Sequence, residues 1–187
     1  MIITISGEPG SGKSTIAKAL AEKFNLKLYS EGDFFRELAE EKGVSLLELN
    51  KMAEDDPSID EAVEEKAKKL VEEAKDDFVI DGRTAFRLLP NSLKIYLKVD
   101  VDEAAARVQK RRQLGEEKEL TVEQTKENLL KREESEVKRF KKYFKIDVTD
   151  ESQYDLIIDT TGQMSEKSIK QAVDWVNSKA LNSDQEK

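Results

Sequence analysis

The chain has 187 residues, 32 Lys+Arg against 40 Asp+Glu for a formal net charge of −8 at pH 7, and neither cysteine nor histidine. That inventory excludes disulfides, thiolate nucleophiles, the usual zinc sites and imidazole bases together, and the acidic balance argues against a general nucleic-acid binder. What remains is carboxylates, Lys, Arg, hydroxyls, backbone dipoles and a hard cation, which suits phosphoryl transfer, where positioning and charge stabilisation outweigh covalent chemistry.

Met1 opens directly into a β-branched run, Ile2-Ile3-Thr4-Ile5, and no long apolar stretch occurs, so neither a leader nor a membrane span is expected. One domain is expected for this length. Gly7-Glu8-Pro9-Gly10-Ser11-Gly12-Lys13-Ser14 follows, and then Ile16, Ala17, Leu20, Ala21 and Phe24 at helical spacing. A strand, this glycine-rich loop and a helix make a P-loop. Its backbone N–H groups turn inward around a phosphate chain, Lys13 reaches the β/γ-phosphates, Ser14 offers its hydroxyl to Mg²⁺, and the helix dipole faces the phosphates. Gly7 to Thr15 are the expected ATP site.

Lys27-Leu28-Tyr29-Ser30 reads as a second strand, and Glu31-Gly32-Asp33 as a turn capping a helix from about Phe34 to Lys42. Ser45 and Glu48 form a capping box for the next helix, with Leu46, Leu49 and Met52 inward; Ser58 and Glu61 repeat the device for a helix from about Ile59 to Lys75. At the end of the second strand the Arg36 fork fits a phosphate, and Asp33 can help organise hydrated Mg²⁺. Phe78-Val79-Ile80-Asp81 is a buried strand. At its exit Asp81 can hold Mg²⁺ through water, Gly82 permits a tight turn, and Arg83 points across the same cleft. Leu93 to Leu97 is a further strand.

A helix runs from Asp102 to about Gln113, Thr121 and Gln124 cap a long helix to about Tyr143, and Tyr154 to Asp159 is the last strand. A final helix over about Ser165 to Lys179 turns Ile169, Ala172, Val173 and Val176 to the sheet, and residues 181–187 are expected as a frayed tail. Strands alternating with helices predict a parallel sheet covered on both faces, with ligands outside the carboxyl ends of its strands. Between Arg107 and Lys145, 13 basic residues against 8 acidic ones give a local +5, which leaves −13 elsewhere. Arg107 and Arg111 share a helix face, as do Arg132, Ser135, Glu136 and Arg139. Such arginines can close over a transferring phosphoryl group; for any one of them pairing with Glu133, Glu134 and Glu136 on a solvated face is an equal reading, and for the group the local +5 in an acidic chain favours function. Trp175, Tyr143 and Phe144 read as packing. Asn50-Lys51 and Asp159-Thr160-Thr161-Gly162 imitate GTPase motifs, but Ala53 stands where a carboxylate would grip guanine, and the two come in the wrong order.

These residues resemble the nucleoside monophosphate kinases, and most closely the archaeal-type cytidylate kinases, from Met1 to about Val176. The likeness rests on Gly7 to Ser14, on Glu31-Gly32-Asp33-Phe34-Phe35-Arg36, on Asp81-Gly82-Arg83, on Arg132-Glu133-Glu134-Ser135-Glu136 with Arg139 and Tyr143, and on Tyr154 to Thr160. It implies an α/β, three-layer P-loop NTPase fold with a five-stranded parallel sheet, helices on both faces, an acceptor-binding region near 31–76 and an arginine-bearing lid near 107–145, all within a single domain of residues 1–180. It implies transfer of the γ-phosphoryl group of ATP to CMP or dCMP with Mg²⁺, by a cytoplasmic monomer whose partners are small nucleotides and neither nucleic acid nor membrane. Lys13, Arg83, Arg107, Arg111, Arg132 and Arg139 would then be catalytic. Ser30, Gly32, Asp33, Arg36, Asp60, Gly82 and Arg83 would bind the acceptor, and Ser14, Asp33 and Asp81 the metal. Arg83 directly after Gly82 looks like the cytidylate branch, since adenylate kinases place an apolar residue, Pro and Arg there. Glu31 stands where relatives usually carry a small or hydroxylated residue. Other acceptors (AMP, UMP, a non-nucleotide metabolite) and an ATP-holding switch without transfer are the alternatives.

Overall fold

The computed structural model describes residues 1–74, 77–113 and 120–185, the side chains of residues 111–113 and 182–185 excepted. Strands β1 (Ile2–Gly7), β2 (Lys27–Ser30), β3 (Phe78–Asp81), β4 (Leu93–Lys98) and β5 (Leu156–Asp159) form one parallel sheet in the order β2-β3-β1-β4-β5. Parallel strands need crossovers, and the helices that supply them bury both sheet faces, so the strands read as nearly continuous apolar runs. On one face Ile3, Ile5, Val79 and Leu97 pack beneath α1 (Lys13–Phe24) and α8 (Ser165–Gln185) through Ile16, Leu20, Ala172 and Val176. On the other, Phe78 and Ile80 meet Phe34 of α2 (Glu31–Lys42), Ala67 of α4 (Ser58–Glu73) and Ala85 of α5 (Ala85–Leu88). Tyr96 continues that face against Phe86, Tyr154 and Phe140, the last on α7 (Val122–Phe144).

The sheet order places the site. The chain leaves β1 over one face through α1 and leaves β3 over the other through α5, so the ends of these neighbouring strands diverge into a crevice. The register Ile5↔Asp81 and Ser30↔Asp81 brings the exits of β1, β3 and β2 level around it.

Local sequence signals hold where the partners are local. Both Ser45 with Glu48, before α3 (Leu46–Met52), and Thr121 with Gln124, before α7, form complete capping boxes. The expected Ser58–Glu61 box does not form. Pro57 occupies the cap position, and the Asp56 carboxylate takes the Ser58 amide at 3.0 Å and its hydroxyl at 2.6 Å. Helix α2 starts at Glu31, earlier than expected, because Ser30 caps it by accepting the Asp33 amide at 3.3 Å. Of the α3 residues expected inward only Leu49 is buried; Leu46 and Met52 are each 42% exposed, since two turns offer one ridge to α2 and α4. A 3₁₀ turn over Glu151–Gln153 delays β5 to Leu156, and α5 had no periodic signal at four residues. Helix α8 runs on through Gln185, so the stretch expected to fray is helical to that point, and Glu186 and Lys187 lie outside the described residues. Among the described residues no helix is long and apolar enough to cross a membrane.

Candidate active site

The loop after β1 is shaped by glycines. Gly7 has φ +144°, and a Cβ there would stand 2.3 Å from Leu97 O, so only glycine lets the chain leave β1 so close to β4. Gly12 caps α1 at φ 92° with no side-chain cap, and since the Thr15 amide turns to Gly12 O at 3.0 Å, the Lys13 and Ser14 amides of the first turn are the ones placed for a ligand. The Ser11 hydroxyl is buried without a partner among the described residues. Lys13 Nζ folds back over the loop and donates to Gly7 O at 2.8 Å and Glu8 O at 2.9 Å. Burial, with Arg83 adding to it, pulls the Lys13 ammonium down to about 7. Spare donors and an under-protonated lysine fit a polyphosphate chain, whose charge restores the proton. Pro9 to Thr15 line one side of a cleft of about 600 Å³. Glu8 instead turns its carboxylate to the Val99 amide at 2.6 Å and anchors the loop.

Ser14 Oγ donates to Asp81 Oδ2 at 2.6 Å, so two of the three expected metal-holding groups meet at the exit of β3. The third does not join them: Asp33 is exposed on the first turn of α2, its carboxylate held by Arg36, and it is not among the cleft-lining residues. Arg36, Ser30 and Gly32 do line the cleft.

Glu31 has a role that its sequence position did not reveal. It is 7% exposed, and its carboxylate accepts from the Thr84 amide and the Thr84 hydroxyl, both at 3.1 Å, pinning the start of α2 to the β3 exit. Gly82 is required beneath it, since a Cβ there would lie 2.3 Å from the Glu31 carboxyl carbon. Burial pushes the Glu31 carboxyl up to about 7, against the pull of the Thr84 hydrogen bonds. The folded pKa is raised, so the stability linked to this group is present below the unfolded value near 4.5 and is lost as pH rises through about 7. Glu31→Gln removes the charge and keeps both contacts, its oxygen accepting from the Thr84 amide and its –NH₂ donating to the Thr84 hydroxyl. It is expected to be more stable than the wild type at pH 8, by up to about 3 kcal/mol, and equal to it at pH 4.5. Urea unfolding across that range checks this, and an equal pH slope in both proteins would show that Glu31 does not titrate there.

The arginines divide into two groups. Arg83, 9% exposed, donates from Nε to Glu136 at 2.6 Å and from one terminal nitrogen to Gly7 O at 2.5 Å, while its other terminal nitrogen is buried without a partner among the described residues. Arg132 Nε reaches the second oxygen of Glu136 at 2.7 Å. Arg107, on α6 (Val101–Gln113), is pinned beside the loop by Thr160, to whose carbonyl it donates at 2.6 Å, and Thr160 Oγ1 in turn donates to Ser11 O at 3.2 Å. Arg139 sits further along, 3% exposed, with its Nε 2.8 Å from Asp60 Oδ2 and a terminal nitrogen 3.2 Å from Asn50 O. Arg83, Arg107, Arg132, Arg139, Asp60 and Asn50 all line the same cleft, with Phe140 and Phe144 beside them. The side chain of Arg111 lies outside the described residues.

Sequence reasoning missed Thr84 as a partner, named Glu136 only as a partner for the arginines of its own stretch and not for Arg83, and discarded Asn50 and Thr160 with the false GTPase motifs. Tyr143 spans to the Glu54 carbonyl at 2.7 Å, and Trp175 packs on the α1/α8 side of the core. Both act in packing, as expected.

Residues 2–162 match the model of the cytidylate kinase-like family. The chain belongs to that family. A cytidylate kinase of Methanocella arvoryzae is 41% identical over 161 residues, 86% of this chain and 88% of that one. A cytidylate kinase of Methanothrix thermoacetophila is 42% identical over 160 residues, again 86% and 88% of the two chains. Among solved structures, a shikimate kinase of Bacteroides thetaiotaomicron superposes with a TM-score of 0.62 at 15% identity, covering 95% of this chain and 98% of that one, a likeness of fold alone. For a cytidylate kinase-like chain the arrangement is coherent: one cleft gathers the loop and the arginines, with Arg83 tied to Gly7 O and Arg107 to Thr160.

Proposed function

We propose that the protein transfers the γ-phosphoryl group of ATP to CMP or dCMP, giving ADP and CDP or dCDP. The observation that carries this reading is the single cleft that gathers the Lys13 loop with Arg36, Arg83 and Arg132, where the buried Arg83 keeps one terminal nitrogen without a partner among the described residues. A switch that only holds ATP needs one phosphate site. The identity of roughly 40% to cytidylate kinases supports the cytidine acceptor.

In this reading the loop amides and Lys13 hold the donor phosphates, and Arg36 and Arg83 hold the acceptor phosphate. Arg132, with Arg107 beside the loop, meets charge developing on the transferring group. The acceptor region lies near 31–76 and the lid near 107–145. No general base is required, because the acceptor oxygen is already anionic. The protein aligns two polyanions, offsets their charge and excludes water. Ser14 and Asp81 present hydroxyl and carboxylate oxygens side by side, a donor set suited to Mg²⁺ with most of its waters kept. When bound there, Mg²⁺ supplies charge neutralisation to the donor phosphates.

The test is ADP release with MgATP and, separately, CMP, dCMP, UMP, AMP and GMP. CMP or dCMP is expected to exceed the others in kcat/KM by about tenfold or more, roughly 1.4 kcal/mol of differential transition-state binding. Preference for AMP would keep the mechanism and overturn the acceptor; ATP binding with no acceptor-stimulated ADP release would overturn the transfer itself.

A further inference from the structure

Glu136 is unlike the other acidic residues of α7. It is 3% exposed on a helix whose neighbouring Glu134 is exposed, and its two oxygens serve two different arginines. Oε2 accepts from Arg83 Nε at 2.6 Å, across 53 residues of sequence, and Oε1 accepts from Arg132 Nε at 2.7 Å, one helical turn away. Burial alone would raise this carboxyl, but the Arg83 and Arg132 guanidiniums hold it well below the usual carboxylate range, so it stays ionised. Both guanidiniums are thus gripped by their inner edges. Of the Arg83 terminal nitrogens one goes to Gly7 O, which also accepts from Lys13, and the other has no partner among the described residues in the cleft it lines, while the half-exposed Arg132 is gripped through Nε.

We propose that Glu136 is a positioning residue for phosphoryl transfer, its bridging carboxylate fixing Arg83 and Arg132 so that their free N–H groups converge on the path of the transferring group. This rests on the transfer reaction proposed above. A bridging carboxylate is the economical way to do it. Three basic groups, Lys13, Arg83 and Arg132, crowd one end of the cleft, and without an anion between them the two guanidiniums would splay apart. A glutamate has the reach to meet two Nε–H groups at once. An aspartate is one methylene short, and a glutamine carries an N–H on one edge, which opposes an arginine N–H instead of accepting from it. A carboxylate that merely tied α7 to the sheet would affect stability and leave turnover alone; one that merely balanced charge would be replaced by aspartate.

The experiment compares Glu136→Asp and Glu136→Gln with the wild type in thermal unfolding and in steady-state kinetics below the unfolding range, with MgATP and the best acceptor of the panel. Both variants are expected to lose about 30- to 100-fold in kcat with KM for each substrate within about threefold, the cost of a misplacement on the order of 1 Å. In the Arg132→Ala background the loss caused by Glu136→Gln is expected to shrink at least about fivefold, because residues acting as a unit are non-additive. Wild-type kcat in Glu136→Asp would overturn positioning in favour of charge balance. Lowered stability with unchanged kcat in both variants would overturn it in favour of a structural tie, and an undiminished loss in the Arg132→Ala background would overturn the two-arginine arrangement. A readout independent of the reaction keeps the two proposals separable. Two downfield, slowly exchanging arginine Nε–H correlations are expected in the NMR spectrum of the ¹⁵N-labelled wild type and are expected to vanish in Glu136→Gln. Their absence from the wild type overturns the bridge whichever acceptor is used, even if no acceptor is found.

Discussion

Replacing Lys13 by Ala is expected to lower kcat about 10³-fold while leaving the protein folded with an unfolding midpoint at or above that of the wild type. The loss follows from the site: one preorganised donor facing developing charge is worth on the order of 10²–10³ in rate, and Lys13 brings a full charge as well. The retained stability follows from the cost of the same side chain. Burial and Arg83 depress the Lys13 ammonium to about 7, so below that pH the folded protein carries a charge that its surroundings disfavour. The folded pKa lies below the unfolded one, so stability linked to Lys13 is present above about 10.5 and is lost as pH falls through about 7. Alanine removes that penalty, and Gly7 O still has Arg83 as a donor. The same depression shapes the pH profile. In the free enzyme Lys13 loses its proton above about pH 7, so kcat/KM for ATP falls there, whereas kcat, measured with phosphates in place, holds to higher pH. Turnover of Lys13→Ala within tenfold of wild type would refute the mechanism, and coincident profiles for kcat and kcat/KM would show that Lys13 is not the titrating group.

How far such a site can be read from sequence depends on the range of the interactions that build it. The loop from Gly7 to Ser14 is a contiguous string with flanks of its own, and the capping boxes at Ser45 and Thr121 close within four residues, so both are legible. Even at that range competition matters: Asp56 and Pro57 displace the Ser58 box by offering the same donors a nearer acceptor. The parallel sheet followed from the alternation of apolar runs and amphipathic segments, whereas its order, β2-β3-β1-β4-β5, was not read from the sequence, because neighbours in a sheet are chosen by packing between distant segments. The pairings of Glu31 with Thr84 and of Arg83 with Glu136 each span 53 residues and carry no periodic signature. Glu31 was visible only as a departure, a buried acid where a small residue was expected. Asp33 had the right chemistry in the right string, yet one residue of helical rotation carries it outward to Arg36. Asn50 and Thr160 were visible only as fragments of motifs that this chain does not have; the fold uses them as hydrogen-bond acceptors for Arg139 and Arg107.

The Asp60–Arg139 pair tests whether the acceptor side of the cleft is maintained for stability or for recognition. Its two side chains are 6% and 4% exposed, and burial pushes the Asp60 carboxyl up to about 6 even though Arg139 pulls it down. Burial therefore outweighs the attraction. With the folded pKa above the unfolded value, stability linked to Asp60 is present below about 3.8 and is lost as pH rises through about 6, so the ionised pair is a net cost at neutral pH. A pair of that kind is expected to respond asymmetrically. Asp60→Leu strands a buried guanidinium that does not give up its proton, and is expected to cost about 3–5 kcal/mol in urea unfolding at pH 7.5. Arg139→Met strands a carboxyl that can neutralise itself by taking a proton, and is expected to cost less, the difference narrowing as pH rises and that proton becomes harder to hold. The double variant, apolar on both sides, is expected to return to wild-type stability or exceed it, as buried ion pairs replaced by packed hydrophobic groups commonly do. Its kcat/KM for CMP is nonetheless expected to fall about 100-fold, with the preference over UMP and AMP gone, because the paired groups border the space assigned to the acceptor and a polar base edge would meet no partner there. A double variant as unstable as Asp60→Leu would make the pair a structural element. A stable double variant that still phosphorylates CMP within threefold of wild type would remove Asp60 and Arg139 from the acceptor site and leave recognition of the base to the residues around Phe35 and Val63 on the same wall.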